Sequence, residues 1–157
     1  NEVAHFDHSI NIAATPARHF SGRTLMKNSS LFCSYVLQSG DKTLFIGGDS
    51  GYDAHFKLIG DLYGPFDLAI LENGQYNEAW PHIHAMPTET AQIIKDINAK
   101  AILPVHTGKF SLAMHRWSEP LDHIANLPVD DVKILTPPIG AVINIGDSTQ
   151  HFDPWWT

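Results

Sequence analysis

Two compact apolar segments with a helical pattern between them constrain the fold of this chain most. Residues 66–71 and 101–105 are almost continuously apolar, as expected of strands that are covered on both faces. A helix is predicted to begin at Pro87, because the isoleucines that follow it recur at helical spacing as far as Ile97. A further helix over residues 55–61 precedes the first strand. This alternation predicts an α/β layered architecture, with a sheet covered by helices on at least one face.

Shorter predicted elements lie on both sides of this unit. Further strands are predicted at residues 9–14, 31–37, 43–46, 132–135 and 141–145, and a third helix at residues 119–125. The Gly40-Asp41 pair between the second and third of these strands predicts a β-hairpin. Linkers, low-complexity tracts and repeats are not found in the sequence, so residues 1–157 are interpreted as one domain.

Composition and charge argue against nucleic acid as a partner, against an internal disulfide and against a transmembrane segment. The formal net charge of −7 with only 10 Lys and Arg residues argues against nucleic acid, because phosphate binding needs a basic face. Cys33 is the single cysteine, so no internal disulfide is possible and the chain is interpreted as cytoplasmic. It is expected to pack as a small buried hydrophobe. No apolar stretch approaches the roughly 20 residues of a transmembrane segment.

Three polar residues follow predicted strands and could ligate a metal. His19 lies in the loop after the first strand, Asp49 lies in the glycine-rich segment 47–51, and His106 ends the strand at 101–105. Two imidazoles and a carboxylate suit zinc, or iron and manganese. Each residue also has an ordinary explanation, as a loop histidine, a turn aspartate and a capping or core histidine. Spacing alone leaves both interpretations open.

The segments around these residues carry a family resemblance. Residues 15–23, 45–52 and 103–110 resemble the third, fourth and fifth metal motifs of the metallo-β-lactamase superfamily, and most closely those of the branch that contains N-acylphosphatidylethanolamine-hydrolysing phospholipase D. The resemblance implies a four-layer αββα sandwich of two similar halves, of which this chain would supply the second. The family's N-terminal His-x-His-x-Asp-His motif is absent from the sequence, and the pattern at residues 5–8 is interpreted as accidental because it lies too close to His19.

The resemblance also implies a ligand set and a reaction. His19 would complete the shell of a first metal, Asp49 would bridge two metals, and His106 would complete the shell of the second. The metals would be two zinc ions in the complete domain, with iron or manganese possible. The expected function is a metal-dependent hydrolase of phosphodiester, lactone or amide substrates, in which a metal-bridging hydroxide is the nucleophile.

Further residues near these motifs are candidates for catalysis and substrate binding. His84 resembles a histidine near the active site of the phospholipase D branch, where it would orient the substrate, and the alternative is a surface histidine. Tyr76 and Trp80 are candidates for the wall of a substrate pocket, although loop aromatics more often serve packing. Arg18 and Arg23 could contact a phosphate, or pair instead with surplus acidic residues.

A second class of function remains open at this point. The chain could be a catalytically incompetent half-domain that folds by pairing with itself or with a missing N-terminal half. Since about three helices are predicted, enough to cover one face of the sheet, the other face is expected to pack against such a protein surface. If the chain belongs to an active hydrolase, the expected substrate is a small or lipid-like molecule.

Overall fold

The structure is a computed structural model that describes residues 2–6, 9–21, 30–109 and 112–157. Within these residues seven strands form one sheet and three helices connect them. The strands are β1 (Glu2–Phe6), β2 (Ile10–Pro16), β3 (Cys33–Ser39), β4 (Lys42–Ile46), β5 (Leu68–Glu72), β6 (Ala101–Val105) and β7 (Lys133–Ile134). The helices are α1 (His55–Tyr63), α2 (Pro87–Ile97) and α3 (Glu119–Ala125). None of them is long and apolar enough to cross a membrane.

The strands lie in the sheet in their sequence order, β1 to β7. Strands β1 to β4 pair antiparallel, whereas β4, β5, β6 and β7 pair parallel. Each parallel connection contains one of the helices, as parallel pairing requires a crossover. Because β2 and β4 are both antiparallel to β3, the strands β2, β4, β5 and β6 all end at the same edge of the sheet.

One face of the sheet forms the core. A row of paired residues crosses five strands on this face and is at most 5% exposed: Ala13, Val36, Phe45, Ala69 and Ile102. The buried side chains of all three helices pack in the same cluster, among them Phe56 and Ile59 of α1, Ile94 of α2 and Ile124 of α3. The helices therefore cover this face, as the alternation of strands and helices predicts.

The opposite face is apolar and less covered. The next row of paired residues consists of Ala14, Tyr35, Ile46, Ile70 and Leu103. All of these are half-buried except Tyr35, which is 41% exposed. We call this row of five residues the open face. Its apolar character agrees with strands that are suited to cover on both sides.

The predicted strand at residues 141–145 is wrong. The segment joins no ladder, and it lies between two glycines with positive φ, Gly140 and Gly146, each at 90°. The backbone N–H and C=O of Asn144 both bond to the side-chain amide of Gln150, which occupies the groups that a ladder would need. Ile143 of this segment instead lines a cavity beside the start of β5 and β6.

The expectation that Cys33 is buried is also wrong. Cys33 is exposed, and its thiol lies 3.1 Å from the hydroxyl of Tyr35. Along β3, Ser34 and Val36 face the helices, so Cys33 and Tyr35 point to the other side. An apolar run reveals a strand, but it does not reveal which alternate residues face the helices.

Candidate metal centre

Four potential metal ligands meet at the edge of the sheet where β2, β4, β5 and β6 end. His19 follows β2, Asp49 follows β4, His84 lies in the loop between β5 and α2, and His106 directly follows β6. The parallel course of β4, β5 and β6 brings residues that are distant in sequence to the same edge. The structure thus brings together the three residues singled out as ligands, and it adds His84 to them.

Asp49 lies near all three histidines. Each of His19, Asp49 and His84 offers one ligand atom, and these atoms lie within 4.8 Å of one another. The distance from His106 Nδ1 to Asp49 Oδ1 is 3.7 Å, which is too long for a normal hydrogen bond. The carboxylate of Asp49 accepts no hydrogen bond from the residues that the structure describes. The Asp49 side chain is 42% exposed, so its carboxylate is open both to water and to a cation that the neighbouring imidazoles could also bind.

His19 presents an unsatisfied ring nitrogen. Its Nδ1 lies 2.9 Å from the carbonyl oxygen of Phe20, to which it donates, and this bond fixes Nε2 as the unprotonated nitrogen. Nε2 is buried and has no hydrogen-bond partner among the described residues. A buried polar atom without a partner is costly unless a further group satisfies it. The lone pair of Nε2 is the kind of donor that zinc, iron or manganese accepts.

A buried carboxylate supports His84. Glu72, the last residue of β5, has a side chain that is 6% exposed, and it accepts hydrogen bonds from His84 Nδ1 at 2.7 Å and from the backbone N–H of Ala85 at 2.6 Å. Burial raises the pKa of Glu72. Burial lowers the pKa of His84, but the hydrogen bond and charge of Glu72 outweigh it, so that the pKa of His84 is raised. The His84 side chain is 12% exposed, which rules out a surface histidine.

Glu72 does not figure in the sequence interpretation, although a signal for it exists. It is a charged residue at the end of a buried apolar strand, the same feature that identifies His106. The carboxylate reaches into the next loop, where it holds both the ring and the backbone at 84–85. Glu72 therefore determines how His84 is presented at this edge of the sheet.

The ring of His84 lies between the other two imidazoles. Its centroid is 5.2 Å from that of His106, with the rings stacked, and 5.3 Å from that of His19, in a T-shaped arrangement. His106 itself has a φ of 62°, a left-handed conformation that a non-glycine residue adopts only at some cost. The left-handed conformation at His106, directly after β6, is therefore maintained by the surrounding structure.

The segment after β4 ties the ligand loops together. Gly51 donates its backbone N–H to the carbonyl of Arg18 at 2.9 Å, and the hydroxyl of Ser50 accepts the N–H of Arg18 at 2.9 Å. A Cβ on Gly51 would lie 2.3 Å from the carbonyl oxygen of His82, so the loop that carries His84 is in direct backbone contact with the same segment. Position 51 therefore requires glycine for the close approach.

The arginine and tyrosine side chains near the site are bonded to neighbouring groups of the protein. The guanidinium of Arg18 donates to the carbonyl of Tyr52 at 2.9 Å and pairs with Asp53 at 3.4 Å, the acidic pairing that the sequence leaves open. Arg23 lies outside the described residues. The hydroxyl of Tyr76 donates to Glu119 at 2.9 Å, and burial and this bond raise its pKa.

Gln75 is a structural residue that the sequence interpretation does not include. It is buried, has a φ of 59°, and its side-chain oxygen accepts the backbone N–H groups of Leu112 and Ala113. Its carbonyl accepts the indole N–H of Trp80 at 2.9 Å. In the described structure Tyr76 and Trp80 thus hold the loop after β5, and their role in substrate binding stays a prediction.

A cavity of about 200 Å³ lies beside His106 and is lined by Gln75, His106, Thr107, Lys109 and Leu112. The hydroxyl of Thr107 is buried without a partner among the described residues. A larger cavity of about 550 Å³ lies between α2 and residues 128–132, where no histidine lines it. Of these two cavities, the small one adjoins the histidine cluster.

Comparison with known proteins identifies the family. The model of the "Beta-lactamase superfamily domain" family matches residues 1–107. The chain belongs to the metallo-β-lactamase superfamily. Outer membrane protein RomA of Klebsiella pneumoniae is 50% identical over 100 residues, which cover 64% of this chain and 76% of RomA. The mitochondrial N-acyl-phosphatidylethanolamine-hydrolyzing phospholipase D of Saccharomyces cerevisiae is 39% identical over 133 residues, or 81% of this chain and 27% of the yeast protein.

The fold agrees with this membership. The isothiocyanate hydrolase from Delia radicum gut bacteria superimposes with a TM-score of 0.65 at 20% identity, over 88% of this chain and 55% of that structure. The sheet and its three helices are therefore those of the metallo-β-lactamase fold. The chain spans 42% of the length of relatives that it matches along 99% of its own residues.

Proposed function

We propose that this chain provides metal-binding residues of a metal-dependent hydrolase. The observation that carries the proposal is the convergence of His19, Asp49, His84 and His106 at one edge of the sheet, with a buried His19 Nε2 that has no partner among the described residues. Imidazole nitrogens and a carboxylate without hydrogen-bond donors form a donor set that fits zinc, iron or manganese. Membership of the metallo-β-lactamase superfamily supports this interpretation.

The proposed metal ligands are His19, Asp49 and His106. The position of Asp49 would allow its carboxylate to contact two metal ions. That carboxylate lies near His19 and His84, and one of its oxygens is 3.7 Å from His106 Nδ1. The arrangement supports two zinc ions in the complete domain, with Asp49 contacting both, and iron or manganese are chemically possible. When bound, such ions supply Lewis-acid activation of water for hydrolysis.

The other residues of the site would position and retain the substrate. His84 belongs to the same cluster and would act next to the metals rather than on a distant part of the substrate. Leu112 lines the small cavity and, with Met114 and Trp117 on the same segment, presents exposed apolar side chains. Tyr76 and Trp80 hold the adjoining loop, and they are proposed to contribute to the wall of the substrate pocket when substrate is bound. An apolar rim suits a lipid-like phosphodiester, and the yeast relative is named for the hydrolysis of the phospholipid N-acyl-phosphatidylethanolamine.

The open face is relevant to the alternative function, in which the chain is a catalytically incompetent half-domain. An apolar sheet face of this kind supports pairing with a second copy of the chain or with an N-terminal segment of the same fold. If the chain by itself lacks ligands that such a segment supplies, it is a catalytically incompetent half-domain.

The proposed location is the cytoplasm, because a chain with a single cysteine cannot form an internal disulfide.

Hydrolysis before and after chelation tests the proposal. The purified chain is assayed with bis-p-nitrophenyl phosphate and with an N-acylphosphatidylethanolamine, with and without EDTA, and then after zinc is restored. Hydrolysis that is lost with EDTA and recovered with zinc supports the hydrolase. A chain that binds zinc without hydrolysing any substrate supports the half-domain. Hydrolysis that survives complete metal removal contradicts the proposed function.

A further inference from the structure

We propose that the turn directly after β6, residues 106–109, is an oxyanion subsite in which Thr107 and Lys109 hold a phosphate group of the substrate. The inference rests on the proposed function. It concerns protein groups beside the histidine cluster rather than the cluster itself. Among the phosphodiester, lactone and amide substrates considered above, it favours those that carry a phosphate anion.

The small cavity beside His106 gives this turn a space for a ligand. Its volume is about 200 Å³, and Lys109 is the residue with a formal charge in its lining. Lys109 is exposed, and its ammonium has no ion-pair or hydrogen-bond partner among the described residues. A lysine ammonium is a point charge that commonly binds phosphate. The cavity therefore contains a cation that is available to an anionic ligand.

Thr107 adds a polar group that the protein leaves unsatisfied. Its hydroxyl is buried and has no partner among the described residues, although the residue is only half-buried and lines the small cavity. Such a hydroxyl is costly unless a further group satisfies it. Rotation to another staggered position about the Cα–Cβ bond would direct the hydroxyl into the cavity, where it can donate to an anionic oxygen.

The backbone of the turn is also suited to an anion. His106 and Gly108, which flank Thr107, have positive φ values of 62° and 80°. Successive N–H groups in a turn of this kind can form a concavity that binds anions. The N–H groups of residues 107–109 donate to no other residue in the described parts of the chain. The turn thus combines unoccupied backbone donors with a hydroxyl and an ammonium.

The local charge supports the same ligand. The chain has a formal net charge of −7, yet residues 97–118 contain no Asp or Glu. Two of the cations in this stretch, Lys100 and Arg116, are each paired with an aspartate. Lys109 is the cation of the stretch without an ion pair in the described structure. A cleft lined by one sign of charge concentrates ligands of the opposite sign.

Phosphate binding to the full, metal-depleted chain tests the subsite without relying on turnover. The ¹⁵N-labelled chain is treated with EDTA and titrated with inorganic phosphate, and separately with acetate, while its amide resonances are followed by NMR. Lys109→Met removes the ammonium, Lys109→Arg keeps a cation, and Thr107→Val removes the hydroxyl. Lys95→Met is the matched control, because Lys95 is exposed and lines the larger cavity instead.

Phosphate is expected to shift the amide resonances of residues 107–109 and to bind more tightly than acetate, which has fewer acceptor oxygens. Lys109→Met and Thr107→Val are each expected to weaken phosphate binding by about tenfold, as the loss of a hydrogen bond to a charged group does. Lys109→Arg should bind phosphate more tightly than Lys109→Met, and Lys95→Met should bind it as the parent does. Far-ultraviolet circular dichroism checks that each variant is folded.

Turnover with zinc links the subsite to the substrate. The parent and Lys109→Met are assayed with bis-p-nitrophenyl phosphate, an anion, and with p-nitrophenyl acetate, which is neutral. Lys109→Met is expected to lower the ratio of kcat/KM for the anion to kcat/KM for the ester by about tenfold, mainly through KM. A merely structural defect would lower both values alike, and Lys95→Met should leave the ratio unchanged.

The contradicting results distinguish the two proposals. If phosphate does not shift the amides of residues 107–109, or if Lys109→Met binds phosphate as the parent does, the inference fails, and metal-dependent hydrolysis by the parent leaves the proposed function standing. Acetate that binds as tightly as phosphate overturns the phosphate assignment, and an unchanged substrate ratio in Lys109→Met overturns the role in substrate binding. Phosphate binding that depends on Lys109, in a chain that hydrolyses nothing with any added metal, supports the subsite and contradicts the proposed function.

Discussion

His106 Nδ1 lies 3.7 Å from Asp49 Oδ1, although β5 separates the strands that these two residues follow. The contact is possible because β4, β5 and β6 are parallel and end at the same edge. His106 adopts a left-handed backbone conformation, with a φ of 62°, directly after β6. The gap between the two atoms exceeds a hydrogen bond, and a metal ion between them would use both lone pairs.

Removing either residue is expected to abolish hydrolysis by the complete enzyme. Asp49→Ala removes the carboxylate proposed to contact both metals, and His106→Ala removes a ligand of one. Each loss of turnover should exceed the roughly 10–100-fold that removal of an outer partner costs. The measurement is the turnover of a phosphodiester substrate with added zinc, with His151→Ala as the exposed histidine control. Turnover by Asp49→Ala equal to that of the parent would refute the bridging role.

Gly51→Ala is expected to weaken metal binding without touching a ligand. The added Cβ would lie 2.3 Å from the carbonyl oxygen of His82, so the segment that carries Asp49 or the loop that carries His84 must move. Gly40→Ala is the control, because φ at Gly40 is +58° with nothing within 4 Å of the added Cβ. That variant should lose about 1–2 kcal/mol of stability from backbone strain alone. Calorimetry with zinc should show a weaker affinity in Gly51→Ala and the parent's affinity in Gly40→Ala; equal affinities in all three would show that the loop spacing does not matter.

The prediction of secondary structure succeeds where burial controls the pattern. Residues 101–105 are predicted as a strand and form β6, and residues 119–125 are predicted as a helix and form α3. Both segments bury apolar side chains against the core, which imposes their periodicity. The failure at 141–145 has the opposite cause. That segment is apolar without a paired strand beside it, and its backbone bonds are satisfied through Gln150 instead.

The site is only partly predictable for a similar reason. His19, Asp49 and His106 are predicted as ligands because each follows a predicted strand and because the segments around them resemble the family's metal motifs. Parallel strands bring such residues together. Glu72 has the same signal, but its task depends on the course of the loop to His84, which the sequence does not reveal. The left-handed conformation of Gln75 is unexpected because glycine or asparagine usually takes it.

Acid is expected to remove the contribution of Asp67 to stability. The hydrogen bond from Lys100 at 2.8 Å, assisted by the N–H of Thr43, holds the pKa of Asp67 below its ordinary value. Because the folded state favours the ionised form, the stabilisation is complete above the ordinary carboxyl pKa of about 3.9. It is lost as the pH falls through the lower folded value.

Asp67→Asn tests this in urea unfolding between pH 6 and pH 2.5. The variant is expected to be about 1 kcal/mol less stable than the parent at pH 6, because Lys100 is largely exposed and the pair is partly screened. The difference should shrink toward the acid end. Asp41→Asn, which breaks an exposed pair with Lys42, should change stability little at any pH. A difference for Asp67→Asn that does not depend on pH would contradict the account.

The chain by itself is expected to associate or to bind an apolar dye through the open face. Its helices cover the opposite face, and Tyr35 remains 41% exposed among apolar neighbours. Tyr35→Glu should therefore weaken association in analytical ultracentrifugation at micromolar concentration. Leu58→Glu is the control, because Leu58 is exposed on α1. A stable, folded parent monomer without dye binding would show that the open face needs no partner.

Anomalous diffraction at the zinc absorption edge tests the proposed metal site most directly. Crystals of the chain grown with zinc are expected to show an anomalous peak at the edge of the sheet, within about 2.0–2.2 Å of a carboxylate oxygen of Asp49 and of a ring nitrogen of His19. Zinc that occupies surface histidines such as His151 while the Asp49 position shows no peak would contradict the metal site.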